Sequence, residues 1–272
     1  VEWFPEERLK YIVEELKANN KVKVSELAET FQVTMETVRR DLDQLAVTGL
    51  AKRVYGGAVS MGYPQGEPPL KQRTTVMMEA KQAIGREASQ LITDGTTIAI
   101  DTGTTVLELA HMLKGRVGLT IVTHSLAVAA IIAEKLANEE FKGELIMLGG
   151  QLNPDQQSIT GMMTVSQLRE FNFDQAFISI GGMSLQNGIS DYDLNETIVS
   201  KEMIKRAKEI IVLADHSKIG VDAACNMTVF DQIDVIICSE PKPKGWQQKA
   251  LENIKWIEAK ENWHESRFPY SS

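Results

Sequence analysis

Five clusters of small, hydroxylic or charged residues each follow a short apolar run in the later part of the chain. They are Asp101-Thr102-Gly103-Thr104-Thr105 after residues 97–100, Thr123-His124-Ser125 after 119–122, Gly149-Gly150 after 145–148, Gly181-Gly182 after 175–180, and Asp215-His216-Ser217-Lys218 after 210–214. Hydroxyl residues and a glycine at a helix start can wrap an anion, because the first backbone N–H groups point at it. Lys218 adds a cation on a long stem, and Asp101 or Asp215 can hold sugar hydroxyls. Each cluster alone is a weak signal that more often marks a plainer role. Gly-Thr-Thr can be a capping turn, Gly-Gly a turn requirement, His124 and His216 hydrogen-bonded loop residues, and Asp215 with Lys218 a surface ion pair. Their convergence on one sheet edge favours an anion site.

A different chemistry sits near the start. Glu36, Thr37, Arg39, Arg40 and Asp43 lie opposite an apolar stripe of Met35, Val38, Leu42 and Leu45, after the cap residue Thr34. The arginines can reach phosphates or guanine edges, Glu36 can accept from cytosine N4, and Thr34 and Thr37 stand where a helix N-terminus favours a phosphate oxygen. Lys52, Arg53 and Tyr55 offer backbone contacts. The same pattern also fits an ordinary solvated helix face. The chain carries 29 Lys and Arg against 37 Asp and Glu, a net charge of −8, which argues against a nonspecific nucleic-acid coat. It leaves a local, sequence-specific reader open.

The elements that must position these residues follow from periodicity. Leu9, Ile12, Val13 and Leu16 predict a helix after Pro5, broken at Asn19-Asn20. Ser25 is placed to cap a second helix buried on Leu27, Ala28 and Phe31. After a turn at Gln32-Val33, Thr34 caps a third, which Gly49 ends. Extended runs around Gly56-Gly57 predict a hairpin, and three helices with a hairpin make a winged helix-turn-helix. Residues 61–73, with Gly62, Pro64, Gly66, Pro68 and Pro69, read as a linker. From Thr74, helical patterns (77–92, 106–113, 126–136, 196–208, 244–253) alternate with strand patterns (97–100, 119–122, 145–148, 175–180, 210–214, 234–238, 255–258). That alternation predicts a mainly parallel sheet with helices on both faces, whose ligands bind beyond the carboxyl ends of the strands. The expected organisation is a DNA-binding domain at 1–60, a linker at 61–73, a sensing domain at 74–258 and a tail at 259–272. Cys225 and Cys238 sit in no metal-ligand spacing, so no metal or cofactor is expected, and two cysteines suit a reducing cytoplasm. No apolar run reaches membrane-span length, and the N-terminus does not read as a signal peptide.

The stretch from Val24 to Leu42, with Gly49 and Arg53-Val54-Tyr55-Gly56-Gly57-Ala58, closely resembles the DNA-binding signature of the DeoR/GlpR family of bacterial sugar-metabolism regulators. Thr34 stands where that pattern often has Ser. The resemblance continues through Asp101–Thr105, Thr123–Ser125, Leu148-Gly149-Gly150, Gly181 with Gly188, Glu196 with Lys201, and residues 215–220, to about residue 258. His124 departs from the family's Asn. The resemblance implies an α/β fold: an N-terminal winged helix-turn-helix and a C-terminal α/β sensor domain like ribose-5-phosphate isomerase and coenzyme A transferase folds. It implies a transcription regulator, expected to repress a carbohydrate operon, rather than an enzyme. Its partners would be double-stranded operator DNA, a phosphorylated sugar effector and further copies of itself, as a dimer or tetramer. The expected DNA contacts are Ser25, Thr34, Glu36, Thr37, Arg39, Arg40, Lys52, Arg53 and Tyr55. The expected effector contacts are Asp101, Thr102, Gly103, Thr104, Thr105, Thr123, His124, Ser125, Gly149, Gly150, Gly181, Gly182, Glu196, Lys201, Asp215 and Lys218. Two alternatives remain: a sugar-phosphate isomerase, with Glu196 the nearest candidate base, and a regulator whose sensor binds nothing.

Overall fold

The computed structural model describes residues 3–19, 21–47, 51–60, 67–246 and 251–261. The chain divides into two units, residues 1–67 with 75–77 and residues 68–74 with 78–272. Asn20, Gly49 and residues 61–66, to which the sequence assigns helix breaks and linker, lie outside the described residues.

The first unit runs α1 (Pro5–Asn19), β1 (Lys21–Lys23), α2 (Val24–Phe31), α3 (Met35–Val47), β2 (Ala51–Val54) and β3 (Gly57–Ser60). Ile12, Leu16, Leu27, Phe31, Val38, Leu42 and Leu45, spaced three or four apart on their helices, close one core with Val22, Ala51 and Ala58. β1 pairs antiparallel with β3, which pairs with β2, so the β2–β3 hairpin joins β1 in a three-stranded sheet with β3 at its centre. Gln32 takes the left-handed conformation, φ 56°, that ends α2 and lets α3 start. Deep in the unit, Arg8 grips Asp41 through two bonds, Nε to Oδ2 at 2.7 Å and Nη2 to Oδ1 at 3.1 Å, tying α1 to α3. Two expectations need correction. Ser25 does not cap α2: the helix starts at Val24, so Ser25 lies within its first turn. Met35 does not join the core stripe; as the first residue of α3 it projects beyond the last buried turn and is 51% exposed.

The second unit opens with α4 (Leu70–Arg73), α5 (Met78–Leu91), β4 (Thr97–Ile100), α6 (Thr104–Met112), β5 (Val117–Thr123), α7 (Leu126–Ala137) and β6 (Lys142–Met147). It continues with β7 (Gln151–Asn153), β8 (Ser158–Thr160), α8 (Met162–Leu168), β9 (Phe173–Ser179), β10 (Gly182–Ser184), β11 (Gly188–Asp191) and α9 (Leu194–Arg206). β12 (Ala207–Ala214), β13 (Cys225–Thr228), β14 (Val235–Cys238) and β15 (Lys255–Glu258) complete it. Seven strands form one parallel sheet in the order β15-β14-β12-β9-β4-β5-β6. Alternate strand residues face opposite ways, so two cores form. Ile98, Ile100, Ile121, Phe177, Ile211 and Ile237 pack under α5, α6 and α7. Ala99, Val122, Ala176, Ile178, Val212 and Ile236 pack under α8 and α9.

The sequence reading missed four features of this unit: the β7–β8 hairpin, the three-stranded sheet β10-β11-β13, α8 and α4. Their strands have three or four residues, too few for a period to show. α4 forms inside the proline-rich stretch because Pro69 precedes it where a missing N–H costs nothing. It docks on the β7–β8 hairpin through Leu70 N–H to Asp155 O at 2.8 Å and Arg73 to Gln156 Oε1 at 2.5 Å. The predicted helix at 196–208 stops at Arg206, since Lys208 already belongs to β12. At 244–253, Lys244 and Gly245 form a turn, and 247–250 lie outside the described residues.

Candidate functional site

In the first unit the polar side of α3 is open to water. Thr34 caps the helix, its Oγ1 accepting from Thr37 N–H at 3.1 Å and lying 2.9 Å from Thr37 Oγ1. Glu36, Arg39, Arg40 and Asp43 are exposed, and Glu36 pairs with Arg39 at 3.3 Å. Such a pair is too solvated to contribute much stability. Arg53 is used internally: Nε meets Asp43 at 2.7 Å and Nη1 donates to Gly57 O at 2.6 Å, bracing the hairpin against α3. That leaves exposed Lys52 and the fully exposed Tyr55 at the hairpin tip.

In the second unit, β4 is flanked by β5 and β9; the chain runs outward from β4 through β5 to β6 on one side and from β9 through β12 and β14 to β15 on the other. Sheets of this kind open a crevice at that point, past the strand ends. Asp101 leaves β4 there. His124 follows β5, and Asp215 follows β12, which lies two strands from β4 at about 10 Å by ordinary strand spacing. Gly103, φ 129°, begins α6 with its backbone against Ser179 of β9, where a Cβ would collide with the serine side chain. Having no side chain, it leaves the first turn of α6 without a side-chain cap. Directly before it, Thr102 Oγ1 is buried and has no hydrogen-bond partner among the described residues. An orphaned buried hydroxyl beside an uncapped helix start is what an incoming anion or sugar oxygen would complete.

Behind this opening lies a packed polar cluster. His124 Nδ1 faces the Ile159 carbonyl at 2.8 Å, and Nε2 faces Asp101 Oδ1 at 2.8 Å. A carbonyl only accepts, so Nδ1 donates; Nε2 also donates when the ring is imidazolium. Burial pushes His124 down, but the hydrogen bond and charge of Asp101, the Ile159 carbonyl and Glu196 push harder, and its pKa is raised. Asp101 also accepts from Thr102 N–H at 2.9 Å and from Ser200 Oγ at 2.9 Å. Glu196, one turn before Ser200, accepts from Ser158 Oγ at 2.5 Å. Burial pushes the Glu196 carboxyl up to about 7, against the pull of Ser158 and His124. Four elements, β4, β5, β8 and α9, are thus joined by side chains.

A third group centres on Asp215, which binds Ser217 N–H at 2.9 Å as well as the Ser217 hydroxyl. Burial pushes its carboxyl up, but Lys218, Ser217 and Lys81 outweigh that and hold it low. Lys81 is itself buried on α5, donating to Arg73 O at 2.9 Å.

The structure therefore gathers Asp101, Thr102, Gly103, Thr104, Thr105, His124, Glu196, Asp215 and Lys218 toward the carboxyl edge. Thr123 and Ser125 lie there too, but their hydroxyls are spent on the backbone: Thr123 Oγ1 donates to Ile100 O at 2.7 Å, and Ser125 caps α7. Gly149 and Gly150 serve the β6–β7 turn, and Gly181 and Gly182 pass close to Tyr192 and Val221 as the chain leaves the sheet. Lys201 is not brought in; five residues after Glu196, it lies off that face of α9 and is exposed. Missed by the sequence reading were Lys81, Ser158 and Ser200. Lys81 falls on the buried stripe of Ile84, Gly85 and Ala88, a legible anomaly, and Ser200 is one turn from Glu196.

Residues 8–62 match the DeoR-like helix-turn-helix domain, and residues 76–240 match the DeoR C terminal sensor domain. The chain is 31% identical to the glycerol-3-phosphate regulon repressor of Escherichia coli, over 87% of this chain and 92% of that one. It is 32% identical to the transcriptional regulator IolR of Bacillus subtilis, covering 90% and 96%, and 32% identical to the repressor GlcR of the same species, covering 86% and 88%. Among solved structures, ribose 5-phosphate isomerase A of Methanocaldococcus jannaschii aligns with 53% of this chain and 55% of its own, at TM-score 0.38 and 19% identity.

Proposed function

The chain belongs to the DeoR family of DNA-binding transcriptional regulators, and from that premise we propose that it represses a carbohydrate operon until a phosphorylated sugar fills the crevice at the β4–β9 switch point. It acts as a regulator, not an isomerase, as its family and relatives do. In this reading residues 1–60 are the reader, and α3 enters the major groove with Arg39, Arg40, Glu36 and Thr37 toward base edges and phosphates. Thr34, Ser25, Lys52 and Tyr55 flank it on the backbone, while Arg53 positions the hairpin. Residues 74–258 are the sensor. The orphaned Thr102 Oγ1 over the uncapped start of α6 is the observation that carries the effector site. Lys218 and Lys81 supply positive charge for the phosphate, and Asp215 and Glu196 face the hydroxyls.

Two copies acting on spaced half-sites would give the reader its operator, and effector binding would favour a sensor arrangement that no longer presents them at that spacing. The coupling is reciprocal, so operator DNA weakens effector binding by the same factor. The test is a gel shift of the full chain on the DNA upstream of its own gene, with a panel of sugar phosphates. The expected result is release by one of them, with Lys218→Ala blunting release while DNA binding persists. A shift untouched by any sugar phosphate would reject the effector class; a normal response in Lys218→Ala would remove that residue from the site.

A further inference from the structure

We propose that Met35 reads sequence by seating its side chain on the 5-methyl group of a thymine in the major groove. The inference rests on α3 being the recognition helix. Among the described residues, Met35 is the one large hydrophobic of α3 left exposed, at 51%. Val38, Leu42 and Leu45 on the same helix are in the core. Met35 is the first helical residue, between exposed Thr34 and exposed Glu36. Helical side chains lean toward the N-terminus, so Met35 covers the leading end of α3, the end that meets base edges in helix-turn-helix docking. Glu36 is paired with Arg39, so the leading end offers an apolar surface beside an internally paired charge. In the major groove the one apolar feature of a base edge is the thymine methyl. Methionine, unbranched and polarizable, adapts to such a contact without a preset shape.

The test uses the full chain and a duplex it selects from a randomised library. Each thymine of one half-site is replaced in turn by deoxyuridine, which lacks only the methyl group. At one position, wild type is expected to lose about 4-fold in affinity, the value of one buried methyl group. Met35→Ala is expected to bind the thymine duplex with that same loss and to be indifferent to thymine or uracil there. Met35→Leu should keep part of the discrimination. Arg40→Ala should bind every duplex more weakly yet still prefer thymine at that position. If Met35→Ala discriminates thymine from uracil as wild type does, or binds as tightly as wild type, the Met35 assignment is overturned while α3 keeps its role. If Arg40→Ala also binds as wild type does, α3 is not the recognition helix and both readings fall together.

Discussion

Arg40 on α3 and Asp101 after β4 are both charged residues that the sequence marks for recognition, and the structure treats them in opposite ways. Arg40 stands in water, as do its neighbours Glu36 and Arg39. Asp101 is 2% exposed and held by His124, Ser200 and Thr102. The exposed charges of α3 stand outside the core, where a substitution leaves the packing of the unit intact. The sensor builds its polar groups into the packing, so in the proposed reading recognition and stability share the same atoms. That sharing gives an effector leverage: a ligand that touches Thr102 or Glu196 touches side chains joining four elements.

The largest expected effect breaks the sensor's cluster. Asp101→Ala leaves the buried His124 ring without its carboxylate, and removing one partner of a buried pair costs about 3–5 kcal/mol. Chemical denaturation should show the loss, whereas Arg40→Ala should leave stability within about 0.5 kcal/mol of wild type. If burial and not membership of a unit draws the line, Arg8 must behave like Asp101. Its bond to Asp41 is buried, with 9% and 8% side-chain exposure. Arg8→Ala is expected to cost about 3 kcal/mol in the stability of the reader. A near-neutral Arg8→Ala would break the comparison.

Glu196 sharpens it through pH. Its carboxyl is raised by burial from 4.5 to about 7, so between those values the folded protein holds a proton that the unfolded chain has released. Stability from this group therefore falls as pH rises through that window, and the loss is complete above it, at roughly 3 kcal/mol. His124, also raised, pushes the same way, since a favoured imidazolium loses its advantage as it deprotonates. Glu196→Gln should flatten the fall between pH 5 and pH 8 and leave a smaller slope from His124. An unchanged slope in unfolding free energy would remove Glu196 as its source.

The two regions also differ in how far the chain could be read in advance. Helices 3.6 residues per turn announce themselves, so the three-helix core with its hairpin and the main strands of the sheet were legible. Met35 was misplaced because a stripe does not say where the core ends. In the sensor the clusters at strand ends were legible as residues but not as bonds. Asp101 meets Ser200 across 99 positions, and His124 meets Ile159 across 35. Such pairings are made by the order of strands in the sheet, which no local pattern encodes. Ser158 was invisible for a further reason: β8 has three residues, all buried, and shows no alternation.

Thr34 tests whether the reader's separation of roles is complete. Its hydroxyl already accepts from Thr37 N–H as the cap of α3, although it lies on the exposed face assigned to the DNA backbone. Thr34→Ala is expected to cost about 1 kcal/mol of stability, the usual value of a lost cap. Thr34→Ser, which keeps the oxygen, should restore it. If capping is its whole role, operator affinity measured well below the melting temperature is unchanged in both variants. If Thr34 also meets a phosphate, Thr34→Ala loses affinity in proportion at every operator sequence, because backbone contacts carry no base information. A loss confined to some sequences would instead place the hydroxyl on a base edge, and the line between cap and reader would have to be redrawn at that residue.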